Sequence, residues 1–358
     1  MAKISYLLGA GASFGIRDIS QPYIDYKHSS RYKEINGRAP NIIEGLPIVS
    51  ELPDRMSYIY YSIQKYIDHY NISNHPNGYI YENLAENLNW LKEASASHAT
   101  VDTFAKKLWL TKKIEDFDKL KRTLSAYFML EQLMLKPDKR YDAFFASVLG
   151  NNPEDLPKDV CILSWNYDCL LERAYAGYVS NIGLLAIEKK LHLLNKSIDV
   201  KDYDYNDSHS FKVFKLNGSA LIYDTTNDEP FDFIFKRQGM SDISYIATIS
   251  APASNAKCAL SFAWENMNTW YTEQLRKSIE DTEILVIIGY SFPYFNRKID
   301  QFIFECATKI RKIYVQDPQS DQIAESVKNL LTPNHQHINK TTIINQRNTN
   351  QFLLPPEL

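Results

Sequence analysis

The sequence predicts an α/β protein: a Rossmann-like parallel sheet with helices on both faces and a mostly helical inserted block. Three observations predict it. Short apolar runs recur along the chain, and several end in glycine or a small polar residue. Most are followed by segments of helical period, the alternation that gives parallel strands covered on both faces. Between the first two runs, residues 53–149 carry helical period and no strand signal.

In chain order, "KISYLLGAG" is a strand that breaks into glycines, and the stretch from Gly9 to Gly15 reads as a loop. Residues 18–44 are polar and aperiodic, an inserted loop, and "GLPIVSEL" follows. From Pro53, the residues Met56, Ile59, Ile63 and Ile67 form one apolar stripe at spacings of 3, 4 and 4. Further helical patterns cover 80–93, 100–111 and 116–135, and "NNPEDLPKD" is a polar linker out of the block. "VCILSWNYD" is strand then loop, "CLLERAYAGY" a helix, and "FKVFKLNGS" a strand. Residues 224–255 are turn-rich, with a candidate short strand at "FDFIF". "LSFAWENMNTWYTEQLRKSI" reads as a helix of several turns. "EILVIIGYSFP" is a buried strand, followed by a helix at 296–309, the strand "KIYVQD", a helix at 320–331 and the strand "KTTIINQ". The expected organisation is a single domain, 1–358. Its Rossmann core is drawn from 1–15, 45–52 and 156–346, and its helical insertion spans approximately 53–149.

The 358 residues are 44% hydrophobic and 23% charged, enough to bury a sizeable core. A net charge of −3 gives no nucleic-acid signal and no call for an anionic membrane surface. No apolar run approaches the roughly 20 residues of a membrane span, and the first strand leaves no room for a signal peptide, so a cytoplasmic protein is expected. The cysteines Cys161, Cys169, Cys258 and Cys306 form no C-x-x-C pair, so no zinc module and no metal are expected.

Five stretches place small or polar residues where strands end, the usual location of ligand contacts in parallel sheets. Gly9-Ala10-Gly11-Ala12-Ser13-Phe14 lets backbone approach a pyrophosphate, or is an ordinary tight turn. Its third glycine comes one residue late for G-x-G-x-x-G. Asn166 and Asp168 follow the second strand, where Asp168 also suits a helix cap. Asn217, Gly218 and Ser219 end the "KLNGS" strand, where asparagine also suits a plain turn. Gly289 and Ser291 lie in "GYSFP". Asp317 ends "KIYVQD", as an acceptor for ribose hydroxyls or as a cap for the next helix. In one parallel sheet these ends face one crevice.

As an ordered set, "GAGAS", "GLP", "WNYD", "KLNGS" and "GYSFP" resemble the sirtuin-like family, and most closely its bacterial branch of NAD hydrolases in anti-phage defence. The resemblance runs from Leu7 to about Asp317. It implies NAD as substrate, bound at the carboxyl edge of the sheet. Gly9 to Phe14 would cradle the pyrophosphate, and Asn166 and Asp168 would flank the nicotinamide ribose. Gly289, Ser291 and Asp317 would line the adenosine side. Two departures bear on chemistry. The four-cysteine zinc module of the protein-deacetylating sirtuins is absent, which counts against deacetylation. Asn217 stands where the family has histidine, and an amide does not titrate as a general base. The resemblance thus implies an NAD glycohydrolase effector that depletes NAD. The alternative is a weakened or inactive module, with the asparagine natural or introduced, that binds NAD or an ADP-ribose-like nucleotide and works through a partner. A homo-oligomer or a complex with a sensor protein is implied in either case.

Overall fold

The structure is a computed structural model that describes residues 2–14, 45–134, 138–179, 182–197, 210–224, 240–252, 256–265, 267–331 and 341–358. The chain divides into two compact units, one of residues 1–13, 137–219 and 259–358, the other of residues 14–136 and 220–258.

The first unit is built on a seven-stranded sheet. Its strands are β1 (Ile4–Leu8), β2 (Val160–Ser164), β3 (Leu193–Asn195), β4 (Lys212–Lys215), β7 (Ile284–Ile288), β8 (Lys312–Gln316) and β9 (Thr342–Gln346). Their spatial order is β3-β4-β2-β1-β7-β8-β9, with every pairing parallel. β1, β2, β4 and β7 are buried at every residue, as strands covered on both faces must be. The helices of this unit are α1 (Ala10–Ser13), α6 (Lys139–Val148), α7 (Leu170–Ala176), α8 (Leu184–Lys190), α10 (Thr269–Ile279), α11 (Arg297–Cys306) and α12 (Ser320–Leu330). The expected Rossmann-like parallel sheet is therefore present.

The second unit is mostly helical: α2 (Leu52–His69), α3 (Gly78–Ser97), α4 (Val101–Leu110), α5 (Ile114–Met134) and α9 (Met240–Ser250). Met56, Ile59, Ile63 and Ile67 are all buried, as their spacing predicts. Inside it, Arg55 and Glu131 form a fully buried ion pair, which the Tyr127 hydroxyl joins by donating to Glu131 at 3.0 Å. β5 (Gly218–Asp224) and β6 (Ala256–Leu260) pair as a separate two-stranded ribbon.

Three expectations change. The glycine stretch expected as a loop closes a helical turn over Ala10–Ser13. The helix expected from Leu260 begins only at Thr269, because Asn268 caps it by accepting the Tyr271 N–H at 2.7 Å. Residues 240–250, expected as turn, are helical and pack on α5 and α3. The candidate strand "FDFIF" and the inserted loop 18–44 lie outside the described residues.

Candidate functional site

The register sets the site before any side chain is considered. Asn195, Lys215, Ser164, Leu8, Ile288, Gln316 and Gln346 form one continuous row across the sheet. The residues one step beyond that row include Gly9, Trp165, Leu216, Gly289 and Asp317. After β1 the chain moves outward through β2 to β4, and after β7 it moves the other way through β8 to β9. The β1–β7 boundary is thus the switch point, where connecting loops diverge and open a crevice.

At that boundary the two glycine turns meet in direct backbone contact. A Cβ on Gly9 would fall 2.5 Å from the Gly289 carbonyl oxygen, and one on Gly11 2.7 Å from the Gly289 Cα. Gly289 itself has φ +60°, a conformation that favours glycine. Gly11 N–H donates to the Gly289 carbonyl at 2.9 Å. The glycines are therefore required by their own mutual packing at the switch point.

A polar cluster lies beside this contact. Ser13 Oγ donates to Asp168 Oδ2 at 2.7 Å. The Asn166 amide donates to Ser13 Oγ and to the Gly9 carbonyl, both at 2.9 Å. Asp168 Oδ1 accepts the Leu170 N–H, the first of α7, at 3.0 Å from one residue before the cap position Cys169, so Asp168 holds the helix start and takes part in the cluster at once. Ser13, Asn166 and Asp168 are all nine-tenths or more buried. Asn217 closes this edge, donating to the Trp165 carbonyl at 3.4 Å and accepting the Ser261 N–H on its own carbonyl at 2.8 Å. Its side-chain oxygen is buried and has no hydrogen-bond partner among the described residues. Gly218, with φ +68°, leaves a Cβ no room, 2.0 Å from the Ala259 carbonyl oxygen.

The remaining expected residues divide. Ala10, Ala12 and Phe14 belong to the glycine turn. Ser219 is buried and accepts from the Asn195 amide at 2.8 Å. Ser291 is exposed. Asp317 accepts the Gln319 N–H at 2.7 Å in the turn that leads into α12, whose cap position is Gln319, and burial raises its carboxyl against that hydrogen bond.

Four contributors escape the sequence reading. Tyr141, on α6, places its hydroxyl 3.1 Å from Ser13 Oγ, and burial followed by the nearby Asp168 charge pushes its phenol well up. Arg140 beside it donates to the carbonyls of Gly11 and Ala12. Lys215, inside the "KLNGS" stretch, donates to the Asp168 carbonyl and pairs with Glu172 at 3.0 Å. Burial lowers its ammonium, but the Glu172 charge, with Cys169 and Asp168, outweighs that and holds it above the usual lysine range. Tyr290 stacks on Trp165 at 5.8 Å between ring centroids and donates to both oxygens of Asp300. Lys215 and Tyr290 lie within motifs already noticed, whereas "KRYDAFF", which holds Arg140 and Tyr141, has no pattern that marks a site.

Among the described residues no group of metal-ligating side chains is assembled, and no helix is long and apolar enough to cross a membrane. No curated protein matches the chain. The model of the SIR2-like domain matches residues 160–338, half of the sequence, from the first residue of β2 past the end of α12. That span holds Asn166, Asp168, Asn217, Gly289 and Asp317, while the glycine turn after β1 precedes it. With a parallel sheet and a polar cluster at its carboxyl edge, the chain belongs to the SIR2-like domain family.

Proposed function

We propose that this protein is an NAD glycohydrolase, cleaving NAD to nicotinamide and ADP-ribose, and that it acts in anti-phage defence by depleting NAD. One observation carries the reading. The Asn217 side-chain oxygen is a buried acceptor with no partner among the described residues, at the strand edge beside Trp165. A buried unpaired acceptor costs about 1–3 kcal/mol, and a ribose hydroxyl is a donor that would satisfy it. Membership of the SIR2-like family, whose domains use NAD, supports the same ligand.

The bond to nicotinamide breaks through an oxocarbenium-like state, and the pyridinium leaves neutral, so no general acid is needed. The protein's task is to hold the sugar, stabilise positive charge and place water. Asp168, fixed by Ser13 and the Leu170 N–H, is the group suited to charge stabilisation. Asn166, tied to Gly9 and Ser13, joins the glycine turn to the end of β2. Asn217 binds but takes up no proton.

That last property favours a second reading, a weakened or inactive module that binds NAD or an ADP-ribose-like nucleotide and acts through a partner. Either form works in the cytoplasm as a homo-oligomer or with a sensor protein. The test is to incubate the purified protein with NAD, alone and with candidate partners, and follow nicotinamide. Slow release is expected. Asn217→His should raise it by about 10²–10⁴-fold, the usual worth of a general base, and Asn166→Ala should abolish it. Tight NAD binding with no nicotinamide under any condition, including from Asn217→His, would favour the binding module over the hydrolase.

A further inference from the structure

We infer that Arg140 is a positioning residue for the glycine turn, acting from behind it through the carbonyls of Gly11 and Ala12. The inference rests on the nucleotide-binding reading of this turn. Arg140 is only 3% exposed, so its donors must find acceptors inside the protein. Asp138, fully buried, accepts from its Nε at 2.8 Å and pairs with its Nη2 at 2.6 Å, which neutralises the charge. Asp138 also accepts the Arg140 backbone N–H at 2.9 Å, capping α6 and fixing where the side chain departs. Nη2 then donates to the Gly11 carbonyl at 3.1 Å and the Ala12 carbonyl at 2.9 Å. Nη1 donates to the Thr349 carbonyl at 3.3 Å, and the Phe352 ring covers the guanidinium at 5.1 Å.

The consequence follows from peptide planarity. In a trans peptide the C=O and the following N–H point in opposite directions. Holding the carbonyls of Gly11 and Ala12 toward Arg140 therefore sets the direction of the Ala12 and Ser13 N–H groups. The same hold fixes the Cα of Ser13, whose hydroxyl joins Asn166 to Asp168. One arginine thus sets both the backbone face of the turn and the polar cluster. Lysine, with no planar fork, cannot reproduce its simultaneous grip on two carbonyls and a carboxylate.

The test uses the full chain with Arg140→Met, Arg140→Lys and the milder Asp138→Asn. Binding of ADP-ribose, ADP and adenosine is measured by calorimetry, and hydrogen exchange of the Gly11 and Ala12 amides without ligand. In the present structure these amides donate to Gly289 and Gly9. Arg140→Met should weaken ADP-ribose and ADP by about 10–100-fold, the worth of a charged hydrogen bond, and leave adenosine within about 2-fold. It should also speed exchange at Gly11 and Ala12 while β1 and β2 stay protected. Arg140→Lys should recover part of the loss, and Asp138→Asn should shift both readouts in the same direction by less. Equal losses for ADP and adenosine, or unchanged exchange at the turn, would overturn the inference. A wild-type chain that binds neither ADP-ribose nor NAD refutes the nucleotide reading instead, and exchange then decides the Arg140 clamp alone.

Discussion

Asp300 is a carboxyl group held inside the α/β unit with no cation bonded to it among the described residues. It is 1% exposed and accepts the Tyr290 hydroxyl at 2.8 and 3.0 Å, while the Asn296 amide donates to that hydroxyl at 3.0 Å. Burial pushes its pKa up to about 8, against the lowering effect of the Tyr290 hydrogen bond. In the unfolded chain the same group ionises near pH 4. Between those values the folded protein holds a proton that the unfolded chain has released, so rising pH favours unfolding. The contribution is intact below about pH 4 and lost as pH rises through about 8. Asp300→Asn should flatten the fall in unfolding free energy across this window, by up to about 1.4 kcal/mol per pH unit. Urea titrations of both proteins at several pH values measure it, and parallel slopes would remove Asp300 as the source. Tyr290 stacks on Trp165, so this carboxyl also braces the strand end that carries Asn166. At this scale the sequence displayed the residues with local signals, Asn166 and Asp168 two apart at a strand end and Asn217 before Gly218. It concealed Asp300, Arg140 and Tyr141, whose roles arise only from contacts with distant segments.

Elements were legible where periodicity and packing agreed. The continuous apolar runs of β1, β2, β7 and β8 could be read directly because strands buried on both faces need no alternation. The α9 segment was not legible, since "ISYIAT" mixes β-branched residues with a tyrosine and only packing on α5 and α3 favours a helix. The start of α10 failed for another reason. Phe262 and Trp264 continue the apolar pattern but stack on each other at 4.8 Å in the segment after β6, and the helix waits for its cap at Asn268. Asn268→Ala should therefore cost about 1 kcal/mol, as loss of an N-cap does, while Asn268→Asp or Asn268→Ser should cost less. Denaturant midpoints rank the three. Equal losses from all of them would mean that the amide serves something other than the Tyr271 N–H.

Across the whole α/β unit, three separated segments of sequence supply one sheet and one site, and the residues after β9 are tied back onto that sheet. Beyond β9, Gln316 donates to the carbonyls of Asn348 and Gln351 at 2.7 and 2.6 Å and accepts the Leu353 N–H at 2.9 Å. The Tyr6 hydroxyl donates to the Leu353 carbonyl, and Lys312 pairs with Glu357. These contacts run from β8 to β1 and leave Phe352 edge-on to Tyr141 at 4.8 Å between ring centroids. Tyr6, Tyr141, Phe144, Leu171 and Phe352 line a void of only about 10 Å³, at most one water, so the ring has filled its place. The hydrogen bonds of Gln316 and Tyr6 with Leu353, together with the Lys312–Glu357 pair, dock the segment "FLLPPEL" on the sheet. Phe352→Ala should cost about 3–5 kcal/mol, the range for emptying a buried aromatic site. Deleting residues 347–358 should cost at least as much, because it also strips the acceptors from Gln316 and Arg140. A synthetic peptide of residues 347–358 added to the deleted protein should raise its thermal midpoint in a concentration-dependent way, as any ligand of the folded state does. The same peptide carrying alanine in place of Phe352 should fail to do so. A deleted protein that melts at the wild-type temperature would show that these contacts add nothing to the fold.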